Sequence, residues 1–374
     1  MLKKFSVTGF KNFSDTITMD FSDVRDYKFN SECITDDLIN TAIIYGKNAV
    51  GKTNFGLALF DIVTHLTMNN VTPGLYDYYL NANKNHKFAT FEYTFIFDAN
   101  EIIYKYRKNT ERTICDESLF INSKKIFIAE GMDYPNGFQK YYINVPASND
   151  LFPDISLKQY RGESLLKYIF YNVAFLDINS PLLKLQRFIN NMLWFRSLDE
   201  NRYIGYREKS DDYYTFIFNK KEYITEFNQL INQIGISNEI VAKKDIDGET
   251  RLYFDSKKPM PFFKVASNGT KAVYTFFYWQ KSAPDVSFMF IDEFDAYYHY
   301  ELAETLISML SKMKGYQKIL TSHNTNLLTN RIMRPDCYFI LTPDRLTSLA
   351  NATERELREG HNLEKLYMSG EFDG

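Results

Sequence analysis

Cysteine is scarce in this chain. Only Cys33, Cys115 and Cys337 occur among 374 residues, far apart and without a C-x-x-C pair, so no disulfide framework or zinc site is expected and the three read as ordinary buried or half-buried thiols. Long apolar runs are missing as well. Nothing approaches the roughly 18–20 consecutive apolar residues that a membrane helix needs, and the opening Met1-Leu2-Lys3-Lys4-Phe5 has no apolar signal core; the expected location is the cytoplasm, with no membrane partner. Charge of one sign is also lacking. A formal net charge of −3 makes no electrostatic case for strong nucleic-acid binding, although a local basic groove can hide inside a neutral total. No internal repeat and no low-complexity segment appears.

What is present is core material. Aromatic residues make up 17% of the chain, with 28 Tyr and 32 Phe, more than a disordered chain carries, and 374 residues suffice for two or three lobes. The most informative stretch is Gly46-Lys47-Asn48-Ala49-Val50-Gly51-Lys52-Thr53, followed by Asn54. Ala42-Ile43-Ile44-Tyr45 before it reads as a short buried strand. The run from Thr53 to Leu66 after it places Phe55, Leu59, Ile62, Val63 and Leu66 at helical spacing. In a strand–loop–helix context the glycines let the backbone wrap round a polyphosphate at a helix N-terminus, Lys52 can neutralise its β/γ oxygens, and the Thr53 hydroxyl can serve a magnesium ion. A glycine turn that opens a helix by chance would share the spacing but not the flanking pattern.

Elsewhere the pattern alternates between strand-like and helical stretches. Leu2 to Phe21 reads as two strands, and Ser22 to Leu38 as a charged surface loop. The alternating runs Phe91–Phe97 and Ile102–Tyr106, with Asp98-Ala99-Asn100 between them, predict an antiparallel hairpin, and strand-like runs follow near Ser118 to Ile128. From about residue 150 the character becomes helical. Ser180-Pro181 opens a run with Leu182, Leu185, Ile189, Met192 and Leu193 on one face, and a second helix carries Phe227, Leu230, Ile231 and Ile234 and stops at Gly235.

Three later stretches belong with the phosphate loop. Phe288-Met289-Phe290-Ile291-Asp292-Glu293 is an apolar strand ending in two carboxylates, the pattern of a Walker B element: Asp292 would hold magnesium through its water shell, and Glu293 would orient or deprotonate the attacking water. Ile319-Leu320-Thr321-Ser322-His323-Asn324 is another buried strand with a polar end, where His323 is either a capping histidine or a γ-phosphate contact. Glu301 to Met313 supplies a crossover helix between those strands. Ala266-Ser267-Asn268-Gly269-Thr270-Lys271 precedes an aromatic helix-like run, so Ser267, Gly269 and Thr270 form either a plain helix cap or an anion site.

In this order the set resembles the ABC-type ATPase head of SMC and RecF proteins, an α/β fold with a mixed, largely parallel core sheet, an antiparallel β subdomain and an inserted helical lobe. Val7-Thr8-Gly9-Phe10-Lys11-Asn12-Phe13 is similar to the opening strand and loop of that group. Four further strings resemble the RloA/AbiLi ATPases, relatives of the OLD family: Asp292-Glu293-Phe294-Asp295-Ala296-Tyr297-Tyr298-His299, Thr321-Ser322-His323-Asn324-Thr325-Asn326, Arg334-Pro335-Asp336-Cys337 and Arg358-Glu359-Gly360-His361-Asn362-Leu363-Glu364-Lys365. The resemblance divides the chain into an N-terminal ATPase half (1–150), a helical lobe (151–250) and a C-terminal ATPase half (251–374). It implies ATP and Mg2+ as ligands, and a homodimer in which two ATP molecules are each held by Lys52 of one subunit and by Ser267 and Gly269 of the other. It further implies ATP hydrolysis with Lys52, Glu293 and His323 as catalytic residues, and an anti-phage role with a separately encoded effector of the RloB/AbiLii kind. A RecF-like DNA clamp is the alternative, while an ABC transporter motor fits poorly.

The chain also departs from these families. The signature is Ala-Ser-Asn-Gly-Thr, where transporters have Leu-Ser-Gly-Gly, and Lys87 to Phe91 holds no Q-loop glutamine. The middle segment lacks the long heptads of an SMC arm, and too little sequence follows His323 for an appended TOPRIM nuclease. Thr353-x-x-Glu356 ahead of Leu357, Leu363 and Leu366 predicts a terminal helix opened by a capping box.

Overall fold

Two sheets with one buried helix between them organise the chain in the computed structural model, which describes residues 1–132, 140–144, 164–172, 179–197, 203–206 and 212–372. The order begins with β1 (Leu2–Thr8), β2 (Ile17–Asp20), β3 (Ile34–Thr35), β4 (Leu38–Ile39), β5 (Thr41–Tyr45), α1 (Lys52–Leu66) and β6 (Asn70–Val71). A meander follows: β7 (Ala89–Phe97), β8 (Asn100–Lys108), β9 (Ile114–Ile121), β10 (Lys124–Met132) and β11 (Lys140–Asn144). Next come α2 (Leu165–Asn172), α3 (Pro181–Asn190), β12 (Met192–Arg196), β13 (Tyr203–Gly205), α4 (Lys221–Gln233), β14 (Ile240–Lys244), β15 (Thr250–Phe254) and β16 (Met260–Pro261). The chain closes with α5 (Phe262–Val265), α6 (Asn268–Ser282), β17 (Phe288–Asp292), α7 (Tyr300–Lys312), β18 (Gln317–Ser322), β19 (Tyr338–Leu341), β20 (Leu346–Ser348) and α8 (Leu363–Met368).

The core sheet has the order β20-β19-β5-β18-β17-β12-β13-β6. Its five middle strands are mutually parallel and its outer ones antiparallel. Burial on both faces explains why the cores of β5 and β17 read as continuous apolar runs rather than as alternation, and why β18 is buried along its whole length. Because the five strands run the same way, their C-terminal ends, among them the polar ends of β12, β17 and β18, share one edge, which is where ligands meet open α/β sheets. The second sheet, β11-β10-β9-β8-β7-β1-β2, is antiparallel, and Asp98 turns its expected hairpin at φ 53°.

Helix α1 lies between these sheets. A Cβ on Gly56 would sit 2.6 Å from Phe290 and 2.9 Å from the Trp194 indole nitrogen on the core-sheet side. On the other side Phe55 meets Phe5 edge-on, and the Tyr93 hydroxyl donates to the Ala58 carbonyl.

Three sequence expectations change at the level of elements. The segment 151–250, expected as a helical lobe, also contributes β12 and β13 to the core sheet and β14 to a separate small sheet. Met192 and Leu193 continue the helical pattern of α3, but the helix stops at Asn190 and these residues begin β12. Parallel pairing with β17 buries the whole Met-Leu-Trp-Phe run, which a helix face would only half cover. Thr353 and Glu356 open no helix; Thr353 donates to Glu371 instead, and the last helix starts later, capped by the Asn362 side chain. Within the segment expected as a helical lobe, residues 151–163, 173–178, 198–202 and 207–211 lie outside the described residues.

Candidate functional site

The loop between β5 and α1 is shaped by its small residues. Ala49 (φ 63°) and Gly51 (φ 105°) take left-handed backbone conformations, a Cβ at Gly46 would lie 2.8 Å from the Leu341 carbonyl oxygen, and one at Gly51 would overlap the Asn12 amide. Backbone of this kind forms an anion-binding concavity at a helix N-terminus. Lys47, Asn48 and Ala49 are exposed at its tip, with Val50 half-buried below them. Asn12 fastens the loop from outside: its amide donates to the Val50 carbonyl (2.8 Å) and accepts from Asn54 (2.7 Å).

Lys52 is buried and arches back over the loop, its Nζ donating to the Gly46 carbonyl at 2.7 Å and the Lys47 carbonyl at 3.2 Å. Burial pulls the amine down to about 8, while Asp292, Glu293 and Asp295 act to hold it up. Its third neighbour is His323 Nδ1 at 3.2 Å; partial burial and the Lys52 charge push that imidazole below its usual range.

Asp292, at the end of β17, is wholly buried. Its Oδ2 accepts from the Thr53 hydroxyl (2.8 Å) and its Oδ1 from the Thr321 hydroxyl (2.8 Å). Thr321 in turn accepts the backbone N–H of Glu293 at 2.7 Å, so one hydroxyl of β18 fixes both acidic positions. Glu293 itself has φ 52°, uncommon and costly for a residue with a side chain. Ser322 donates to Asp295 (2.8 Å), holding the turn after Glu293 against the end of β18.

Lys52, Thr53, Asp292, Glu293 and His323 therefore meet at one sheet edge. Ser267, Gly269 and Thr270 do not join them within a single chain: Ser267 caps α6 by accepting the Thr270 N–H, its side chain is exposed, and Gly269 packs where a Cβ would sit 2.7 Å from the Tyr297 carbonyl oxygen. Sequence reasoning missed Asn12, Thr321 and above all Arg196, whose Nε donates to Asp292 Oδ2 at 3.0 Å and whose Nη2 donates to Thr53 Oγ1 at 3.2 Å. The available signal was an apolar run ending in a polar residue, the same signature that marked β17 and β18.

Thr53 and Asp292 offer hard oxygens beside a phosphate-shaped loop, a donor set that suits a magnesium ion completed by phosphate and water. Among the described residues no cluster of three or more His, Cys, Asp or Glu could hold a metal by itself, and no helix is long and apolar enough to cross a membrane.

A glycine loop that opens a helix buried between sheets, facing an acidic strand end in a mixed α/β sheet, defines a P-loop ATPase module. The family model described as "AAA domain, putative AbiEii toxin, Type IV TA system" matches residues 42–329, and the chain belongs to this family. It is similar in structure to the SMC head domain from Thermotoga maritima, with 14% identity, 93% of this chain and 97% of that chain covered, and a TM-score of 0.43. It is also similar to the Smc head domain with an extended coiled coil bound to the C-terminal domain of ScpA, derived from Pyrococcus furiosus, with 12% identity, 93% and 96% covered, and a TM-score of 0.45. Comparison with curated proteins gives no match.

Proposed function

We propose that this protein binds and hydrolyses ATP with Mg2+, that ATP closes a homodimer, and that the closed and open forms switch a separately encoded effector in anti-phage defence, as in the RloA/AbiLi group. The observation that carries the reading is the meeting of Lys52, Thr53, Asp292, Glu293 and His323, contributed by separate segments, at the C-terminal edge of the parallel strands. Lys52 leaves its loop carbonyls to neutralise the β/γ oxygens. Thr53 and Asp292 hold the magnesium ion, which when bound spreads the charge developing on the transferring phosphoryl group. Glu293, set by the Thr321 hydroxyl, orients the attacking water and takes its proton. His323, 3.2 Å from Lys52, contacts the γ-phosphate. The exposed Ser267, with Gly269 and Thr270 at the start of α6, completes the pocket of a second copy.

Glu293→Gln tests this reading. Hydrolysis should fall by about 10²–10⁴-fold, the usual contribution of a positioned base, and light scattering with ATP and Mg2+ should report twice the monomer mass. Normal turnover, or a mass that ignores nucleotide, would refute it.

A further inference from the structure

Parallel pairing of β12 with β17 sets Arg196 directly opposite Asp292. The guanidinium then bridges the two groups assigned to the metal, with Nε on Asp292 Oδ2 at 3.0 Å and Nη2 on Thr53 Oγ1 at 3.2 Å. Asp292 Oδ1 accepts from Thr321, whereas Oδ2 accepts from the Thr53 hydroxyl, the other group assigned to the metal, and a cation sits on that shared oxygen. The carboxylate is 0% exposed and the arginine side chain 28% exposed, which places the guanidinium on the solvent side of the pair. A neutral amide there would donate a hydrogen bond without bringing charge; arginine brings a charge that cannot be removed at any working pH.

We infer that Arg196 is the resident cation of the metal site: it neutralises Asp292 in the nucleotide-free protein and must leave Oδ2 before a divalent ion takes that oxygen. Two cations on one carboxylate oxygen repel each other, and magnesium gives up its hydration water reluctantly. Exchange therefore needs the extra negative charge of a polyphosphate in the adjacent loop. Arg196 thereby makes metal entry conditional on nucleotide, so that the site stays metal-free in a cell rich in magnesium. Ser197, which donates to the Phe294 carbonyl at 3.1 Å, ties the same strand end to the segment just after Glu293, so displacement of Arg196 pulls on the turn that carries the second carboxylate. This inference rests on the proposed reading for its metal site, but it concerns what holds that site beforehand.

The test is Mn2+ binding followed by electron paramagnetic resonance in the absence of nucleotide, on the intact chain, with thermal melts confirming that each variant is folded. Wild type and Arg196→Lys should bind Mn2+ weakly. Arg196→Gln should bind it more tightly by a factor on the order of 10–100, the size of effect seen when partners of a metal ligand are altered, and a fluorescent ATP analogue should then bind at correspondingly lower Mg2+. Arg196→Gln binding no tighter than wild type would overturn the inference, as would wild type binding Mn2+ tightly without nucleotide, an arm that holds even if the variant does not fold. If the ATP analogue fails to bind wild type at any Mg2+ concentration, the proposed function fails, while the Mn2+ titration still decides the role of Arg196.

Discussion

Glu293 occupies left-handed backbone space at φ 52°, held there by the Thr321 hydroxyl on its own N–H. A residue with a Cβ loses roughly 1–2 kcal/mol in that region, and glycine loses almost none. Strain of this kind collects where function demands it. Glu293→Gly should therefore stabilise the nucleotide-free fold by about 1 kcal/mol, raising the midpoint of a urea melt, while abolishing hydrolysis; a less stable variant would show that the strain is absent. At this scale the sequence made legible which residues come together wherever they lie in a local pattern. Lys52, Thr53, Asp292 and Glu293 lie in local patterns, and the structure brings their side chains or backbone into one network. Asn12, Thr321 and Arg196 act across 38, 29 and 96 residues respectively, distances over which spacing carries no signal without the strand order.

Among the elements, α2 is held at its first turn by a buried acid, in addition to the apolar packing of Leu165, Leu166, Ile169 and Phe170. Glu117 on β9 accepts from the Ser164 hydroxyl (2.9 Å), the Tyr104 hydroxyl (2.7 Å) and the Leu165 N–H, so it holds the first turn of α2 onto the antiparallel sheet. Burial pushes its carboxyl up to about 7 despite those donors. The folded state thus keeps a proton that the unfolded chain, with its ordinary carboxyl, has already released. The contribution of Glu117 to stability should be greatest below the unfolded value near 4.5, decline as pH rises toward 7 and be flat beyond, a loss on the order of 3 kcal/mol. Glu117→Gln should flatten that decline between pH 4.5 and 7 in thermal melts; an unchanged slope would assign the dependence to other groups. Element boundaries were readable where local chemistry stops a helix, as at Gly235 (φ 85°), where the Ile236 N–H closes back on the Ile231 carbonyl. They were not readable at Asn190, because Met192 and Leu193 satisfy a helical period and a buried strand equally well, and only the partner β17 decides.

Across the whole molecule, a fully buried ion pair fastens α1, the helix between the sheets, to the antiparallel sheet. Asp61 of the helix accepts from Lys108 of β8 (2.9 Å) and from the hydroxyls of Tyr79 (2.8 Å) and Tyr106 (2.9 Å). Burial pushes the Asp61 carboxyl up and the Lys108 amine down, and each partner's charge opposes the shift in the other. Removing one partner strands a buried charge, so Lys108→Met should cost about 3–5 kcal/mol in urea unfolding, and adding Asp61→Asn should restore much of it. A double variant no more stable than the single one would mean that the cost does not come from the stranded charge. Tyr79 also accepts the Lys11 N–H at its carbonyl, which extends the same network to the turn that carries Asn12.

β18 is bonded at both of its ends to different parts of the protein. At its start the Gln317 side chain accepts the Leu2 N–H (2.7 Å) and donates to the Leu2 carbonyl (2.8 Å), gripping the first strand of the antiparallel sheet. At its finish Thr321 governs the acidic pair, and the adjoining His323 touches Lys52. Six extended residues span roughly 20 Å, and both neighbours of the strand are hydrogen-bonded to it. One straight strand thus runs, like a tie rod, from the grip on Leu2 at the rear of the molecule to the Thr321 hydroxyl that meets Asp292 and Glu293 at its front.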